Sequence, residues 1–208
     1  YQRSPSSDRT RLRGEPSESL SASFPSDSSV SGNRGSYPSP RFGFVAAATH
    51  DHFLVFGGYD GRSWLNDMHS YSFITGTWDT DEALQDISGD VPSCRSCPSW
   101  STFKDHIYVF GGYDGEKRMN DLYKFNINTH VWTKIDCQGR GPVPSPRYFH
   151  NSIKFAPGSL LIIGGYNGVV RLNDVYEFDI IHERWSLVES SGDEPKGRSS
   201  FVAGCWRS

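Results

Sequence analysis

The stretch FLVFGGYDG at residues 53–61 decides the fold, because it returns twice along the chain. It recurs as IYVFGGYDG at 107–115 and as LLIIGGYNG at 160–168, at offsets of 54 and 53 residues. Self-similarity with a period of about 50 residues is typical of propellers and solenoids. The sequence therefore predicts a repeat architecture.

Other residues recur in register with these three blocks. Each block is preceded by an arginine and followed by Asn-Asp, by an aromatic residue and then by a tryptophan. The arginines are Arg41, Arg95 and Arg147; the aspartates are Asp67, Asp121 and Asp174; the aromatics are Tyr71, Phe125 and Phe178; the tryptophans are Trp78, Trp132 and Trp185. A further arginine, Arg198, opens a repeat that the chain end cuts off. We expect each arginine to pair with its aspartate and so to tie strands or blades together.

Each repeat contains four short extended segments, and this favours a propeller over a solenoid. One follows the arginine, one is the apolar run that ends at Gly-Gly, one follows Asn-Asp, and one carries the tryptophan. Four antiparallel strands make a propeller blade, and no stretch shows a sustained helical period. The predicted fold class is all-β, a partial propeller with three four-stranded blades. The first strand of a fourth blade is expected near Ser199 to Trp206.

The combination of apolar run, Gly-Gly, Asn-Asp, aromatic and Trp resembles the kelch repeat. The resemblance covers residues 38–208, and it implies a kelch β-propeller. Kelch repeats often carry a His three residues after the arginine, and only His150 matches here; Phe44, Pro98 and Phe201 take the other positions. The Tyr-Asp-Gly and Asn-Asp spacing is similar to that of kelch–BTB adaptors of the leucine-zipper-like regulator type, although these 208 residues include no BTB segment.

Two regions of different composition divide the chain. Residues 1–37 are Ser- and Pro-rich, and 1–40 contain 13 Ser but only seven hydrophobic residues, which predicts a disordered tail. Residues 38–208 hold the kelch repeats, at about 38–83, 92–137 and 144–189, with a partial repeat at 195–208.

Charge, hydropathy and cysteine content exclude several protein classes. The net charge of -3 argues against nucleic-acid binding by bulk charge, and no apolar run is long enough for a membrane span. Four cysteines are too few for a disulfide scaffold and fit a reducing, cytoplasmic setting, with the nucleus as the alternative compartment.

The loops after the double glycines are the expected partner-binding surface. In a four-strand meander they lie at the same end as the connections between repeats, and long loops such as Tyr113 to Asn120 gather binding residues. Arginine and aromatic side chains are enriched at protein-binding hot spots. The candidate residues are Tyr59, Arg62, Trp64, Tyr113, Lys117, Arg118, Tyr166 and Arg171. For the tyrosines, packing on the next blade is the alternative.

A search for catalytic and metal-ligating motifs finds no convincing site. Cys94 and Cys97 have metal-ligand spacing but no second pair, and no phosphate loop, nucleophile elbow or zincin motif is present. We therefore predict a non-enzymatic protein-interaction module without catalytic, cofactor or metal residues. The resemblance suggests a substrate-recognition or adaptor propeller, with ubiquitin-ligase, cytoskeletal or small-GTPase partners. The alternative is part of a kelch-type metal oxidase whose catalytic blades lie outside these residues.

Ring closure is the remaining expectation from the sequence. Propellers typically close with about four to eight blades, so three repeats and one opening strand leave the ring incomplete. We expect about two to four further blades in the natural gene product, and self-association of the isolated 208-residue chain.

Overall fold

The computed structural model describes residues 37–78 and 86–204, and the regular structure in these residues is entirely β-strand. The disorder predicted for 1–37 falls, apart from Tyr37, outside the described residues.

Three sheets follow one another along the chain. The first contains β1 (Val45–Ala48), β2 (His52–Tyr59), β3 (Trp64–Ser72) and β4 (Thr77–Trp78). The second contains β5 (Ser88–Gly89), β6 (Ser99–Phe103), β7 (His106–Tyr113), β8 (Arg118–Asn126) and β9 (Val131–Ile135). The third contains β10 (Asn151–Ala156), β11 (Ser159–Tyr166), β12 (Arg171–Asp179) and β13 (Arg184–Leu187). Each has the antiparallel meander of a blade, which confirms the predicted fold class, and we call them blades one, two and three.

Blade two carries one strand more than predicted. The two-residue strand β5 comes from the connection after blade one and pairs in parallel with β9, placing Gly89 beside Trp132. The next connection contacts blade three at the same place, since the backbone N–H of Trp185 donates to the carbonyl of Arg140. Each connection between repeats therefore lies along the outer strand of the following blade.

The second and third strands are longer than the sequence suggested. The double glycines do not end the second strand; the pairing register shifts there, between Phe56 and Gly58 in blade one, and the strand continues to Tyr59. Gly57 and Gly58 have φ of +66° and +103°, a conformation that glycine adopts without strain. The third strand likewise begins before Asn-Asp, so only four residues remain in each loop between these strands.

Face-to-face contacts between neighbouring sheets form the hydrophobic core. Phe56 of blade one meets Trp132 of blade two with ring centroids 4.9 Å apart, and Phe110 meets Trp185 of blade three at 5.3 Å. Both tryptophans are at most 2% exposed. The recurring tryptophan therefore fills the contact between blades, as rings that bury 150–250 Å² are suited to do.

An ion pair with a buried guanidinium joins the segment before each blade to the second and third strands of that blade, and we call it the arginine clamp. In blade two, Nη1 and Nη2 of Arg95 donate to the carboxylate of Asp121 at 2.7 and 3.1 Å. The same guanidinium donates to the carbonyl of Gly111 and to the carbonyl and hydroxyl of Ser93. Arg41 with Asp67 and Arg147 with Asp174 repeat this geometry. The predicted arginine–aspartate pairing is confirmed.

The opening of the fourth repeat is docked on blade three but does not form a strand. The carbonyl of Arg198 accepts a hydrogen bond from the backbone N–H of Gly165 at 2.9 Å. Residues 201–204 contain no strand pairing, and Val202 is 95% exposed. The strand expected near Ser199 to Trp206 is therefore absent from its described part, because no second strand lies beside it there.

Removal of one clamp should destabilise the chain strongly. In Arg147→Ala, Asp174 and the Gly164 carbonyl lose their shared partner, and we expect a loss of about 3–5 kcal/mol. The matched control is Arg184→Ala, an exposed strand arginine whose loss should cost within about 0.5 kcal/mol. Denaturant unfolding checks both values, and similar costs for the two variants would contradict the clamp's role.

Candidate partner-binding face

The loops between second and third strands are short and internally fixed. The side chain of Asp60 accepts the backbone N–H groups of Arg62 and Ser63 at 2.8 and 2.7 Å. These hydrogen bonds, from Ser63 first and then Arg62, hold the pKa of Asp60 below its ordinary value. Asp114 and Asn167 make the same turns in the other blades. The long loops expected here are thus replaced by rigid four-residue turns, because the flanking strands extend further.

A row of aromatic rings crosses the three blades at this end. Tyr59 lies 4.6 Å from Trp64, which lies 6.0 Å from Tyr113 of the next blade, measured between ring centroids. Tyr113 stacks on Tyr148 at 5.2 Å, and Tyr148 contacts Tyr166 at 5.8 Å. All these rings are partly buried. Tyr113 therefore packs on the next blade, which was the alternative interpretation for the tyrosines.

The first residue of the third strand inserts against a glycine of the next blade, and we call this the insertion contact. Trp64 lies against Gly115, where a Cβ would be 2.5 Å from the indole ring. Arg118 lies against Gly168, where a Cβ would be 2.5 Å from the guanidinium carbon. A Cβ at either glycine would therefore require the inserted side chain to move.

Tyrosine rings surround the guanidinium of Arg118. Its central carbon lies 5.3, 5.6 and 5.9 Å from the ring centroids of Tyr113, Tyr148 and Tyr166. Within residues 37–78 and 86–204, its buried Nε has no hydrogen-bond partner and no carboxylate forms an ion pair with it. Arg118 thus contributes cation–π contacts between blades, and it begins the third strand of blade two rather than lying in the loop expected from the sequence.

The exposed candidates lie in these loops or, for Arg171, directly after one, and we call this end of the blades the loop-tip face. Arg62, Lys117 and Arg171 are exposed, as are the neighbouring Val169 at 83% and Val170 at 52%. Each of the three cations belongs to a different blade. The face therefore presents cationic tips above a rigid aromatic row.

Two aromatic residues of this row were missed by the sequence reasoning. Tyr148 and Phe42 each follow a clamp arginine directly, and each contacts the tyrosine that follows the double glycine of its own blade. Blade two has Ser96 at that position. The residue after each arginine was a readable signal, since it is aromatic in two of the three complete repeats.

A polar concavity of about 600 Å³ lies between the first strands of blades two and three. Its lining includes Ser99, Ser101, Ser152, Asn151 and Lys154. His150 also lines it and is 7% exposed, with Nε2 placed 3.1 Å from the carbonyl oxygen of Phe110, to which it donates. Burial, followed by the nearby charge of Arg147, lowers the pKa of His150 to about 3.

Cysteine and metal chemistry is not assembled in the described part of the chain. Cys94, Cys97 and Cys137 are free thiols, and burial raises the pKa of Cys97 to about 11. No group of three or more potential metal ligands occurs among the described residues. No helix there is long and apolar enough to cross a membrane.

Comparison with known proteins assigns the family. A model of the KLHDC2/KLHL20/DRC7 Kelch-repeats domain matches residues 26–207. The chain belongs to the kelch-repeat family. It is 31% identical over 172 residues to leucine-zipper-like transcriptional regulator 1 of Homo sapiens, covering 78% of this chain and 20% of that protein. It is 32% identical over 157 residues to kelch domain-containing protein 10 of Xenopus laevis, covering 74% of this chain and 36% of that protein.

The kelch chain thus spans between about a fifth and a third of the length of these relatives. The residues that the family model matches, 26–207, include those that form the clamps and the insertion contacts. The similarity therefore covers the propeller scaffold and does not extend to the binding partners of these longer relatives.

Glycine substitutions should distinguish insertion contacts from ordinary turns. Gly61, Gly115 and Gly168 have closely similar φ of +95°, +100° and +99°, but a Cβ on Gly61 would meet no atom within 4 Å. Gly61→Ala should therefore cost only the backbone strain, about 1–2 kcal/mol. Gly115→Ala and Gly168→Ala should cost about 1–3 kcal/mol more, because Trp64 and Arg118 are displaced. Denaturant unfolding measures all three, and equal losses would contradict the insertion contacts.

The buried His150 should give stability a specific pH dependence. Its pKa is lower when folded, about 3, than its ordinary value of 6.5, so protons bind the unfolded chain preferentially. Its contribution is complete above pH 6.5 and declines as pH falls, by up to about 1.4 kcal/mol per pH unit. In His150→Phe, which places here the residue found at Phe44, unfolding free energy should vary less between about pH 6.5 and 5. Identical profiles for both proteins in that range would exclude the effect.

Proposed function

We propose that this kelch chain is a non-enzymatic protein-interaction module that binds a partner through the loop-tip face. The family and the similarity to kelch-domain proteins support an interaction or adaptor role. Within that role we favour substrate recognition in an intracellular assembly of the ubiquitin-ligase type. Cytoskeletal and small-GTPase partners are the alternatives.

One observation carries the choice of face. Exposed cations lie in, or in blade three directly after, the rigid turns of all three blades, while the aromatic row beneath them is fixed by packing between blades. A surface that is already ordered loses little conformational entropy on binding. The arrangement therefore favours this end of the blades as the recognition surface.

The chemistry of the tips defines the kind of partner. Arg62, Lys117 and Arg171 can donate to carboxylates, and Val169 and Val170 add exposed apolar area beside Arg171. Charge-assisted hydrogen bonds to carboxylates are stronger than neutral ones. We infer a protein segment that combines acidic with aliphatic side chains. The other predicted partner residues, Tyr59, Trp64, Tyr113, Arg118 and Tyr166, then act by holding the tips in place.

Charge removal at the tips should weaken partner binding selectively. Arg62→Ala with Lys117→Ala should reduce the capture of a specific partner by at least about tenfold, since each lost charged contact is worth about 1.5–3 kcal/mol. The matched control, Lys104→Ala with Arg184→Ala, removes one exposed cation from a turn and one from the strand residue that follows a turn, both at the opposite end of the blades. The chain is immobilised, and the proteins that it captures are quantified by mass spectrometry. Equal capture by both double variants would contradict the assignment of the face.

A further inference from the structure

A serine lies two positions before the clamp arginine in each of the three blades. The hydroxyls of Ser39, Ser93 and Ser145 accept a hydrogen bond from Nη2 of their arginine at 3.1, 3.2 and 3.0 Å. The backbone carbonyls of the same serines accept a hydrogen bond from Nε of that arginine. Each serine hydroxyl is therefore held against a guanidinium.

One of these three serines combines exposure with a following proline. The same four residues, PSPR, stand at 38–41 and at 144–147, but Ser39 is exposed whereas Ser145 is half-buried. Ser93 is exposed but is followed by a cysteine. Protein kinases of the proline-directed class modify serines that directly precede proline, and they need access to the hydroxyl. Of the three clamps, the one in blade one therefore offers the site that suits such a kinase.

The guanidinium of Arg41 already directs an N–H at the position that a phosphate on Ser39 would occupy. Its Nη1 donates to the Gly57 carbonyl and to Asp67, and its Nη2 donates to Asp67 and to the Ser39 hydroxyl. A phosphoserine carries three strong acceptor oxygens and a charge of about -1.5 to -2 at neutral pH. Because hydrogen bonds between arginine and phosphate are among the strong charge-assisted ones, phosphorylation would strengthen this existing contact.

The clamp of blade one is also the one best suited to an added negative charge. The Asp67 side chain is 41% exposed, against 22% and 27% for the aspartates of the other two clamps, so solvent screens its charge more. His69 lies beside this pair, with Nε2 2.9 Å from Oδ2 of Asp67 and 3.5 Å from Nη2 of Arg41. The other blades have Tyr123 and Tyr176 at this position, with their rings near the guanidinium. A histidine can take up a proton and become a cation, so His69 can offset the repulsion between a phosphate and Asp67.

We propose that Ser39 is a phosphorylation site and that Arg41 binds its phosphate within the clamp of blade one. A proline-directed kinase transfers the γ-phosphoryl group of ATP to Oγ of Ser39. The P–O bond to Oγ forms as the bond between the γ-phosphorus and the oxygen of the departing ADP breaks, and the hydroxyl proton passes to a base of the kinase. The phosphate then replaces the hydroxyl as the acceptor for Nη2 of Arg41. The segment before blade one is thereby joined to β2 and β3 by a more highly charged clamp.

The site is tested with a proline-directed kinase, ATP and the folded chain carrying Ser4→Ala. This substitution removes one of the three Ser-Pro pairs of the sequence and leaves those at Ser39 and Ser145. Synthetic peptides of residues 36–42 and 142–148, which share PSPR, give the intrinsic rate at each serine. Relative to its peptide, Ser39 in the chain should react at least about tenfold faster than Ser145, because a partly buried hydroxyl reacts only after local opening. Mass spectrometry of the digested chain measures both rates, and a Ser39 that reacts no faster than Ser145 would overturn the proposal.

Phosphorus-31 NMR of the phosphorylated chain tests the role of Arg41. A phosphoserine in an unfolded chain has a second pKa of about 6. A guanidinium stabilises the doubly charged phosphate, so in the folded chain the second proton should be lost at a pH about one unit lower than in the same chain unfolded in urea. The phosphorylated peptide of residues 36–42 is the matched control and should titrate as the unfolded chain does. Equal midpoints for the folded and the unfolded chain would show that Arg41 does not bind the phosphate, and the proposal would fail.

Discussion

The arginine clamp is the interaction on which the rest of each blade depends. A guanidinium with no exposed surface, such as that of Arg95, satisfies the carboxylate of the third strand, the carbonyl of the double-glycine corner and a serine on its own segment. Burying such a charge is costly unless every donor finds an acceptor. The clamp therefore fixes the spacing of arginine, Gly-Gly and aspartate together, and this explains why the three recur in register. In blade one, burial raises the pKa of Asp67, but hydrogen bonds from His69 and Arg41 outweigh it and hold the pKa below its ordinary value.

The repeated residues made the blades predictable, while the contacts between blades were harder to read. Arginine, aspartate and tryptophan recur at fixed offsets, so their pairing and packing could be inferred from spacing alone. Strand ends could not, because a glycine pair usually indicates a turn and here produces a bulge within a continuing strand. The role of Arg118 also escaped the sequence, since it depends on Gly168 in the next repeat and on Tyr148 beside it.

The loops of the candidate face are shorter than the sequence suggested, and this changes the mode of recognition that they allow. The expected long loops would have allowed the binding residues to adapt to a partner. The observed four-residue turns, each fixed by an Asp or Asn side chain, present Arg62, Lys117 and Arg171 at set positions instead. Recognition on such a surface depends on the spacing between blades. That spacing is set in turn by the insertion contacts, so the scaffold and the arrangement of the exposed cations are physically coupled.

Each insertion contact pairs a receiving glycine, which is constant, with an inserted residue, which varies between blades. The receiving residue is glycine in all three blades, and at Gly115 and Gly168 a Cβ would occupy the space of the inserted side chain. The inserted residue is Trp64 in one contact and Arg118 in the other, and the residue beside the receiving site changes with it, from Ser96 to Tyr148. A tryptophan brings its own ring, whereas an arginine needs rings supplied by the next blade. Because each inserted residue suits one kind of receiving site, these contacts favour a particular blade as the neighbour of another. Residues at the face proposed to bind a partner therefore help to determine the order of the blades.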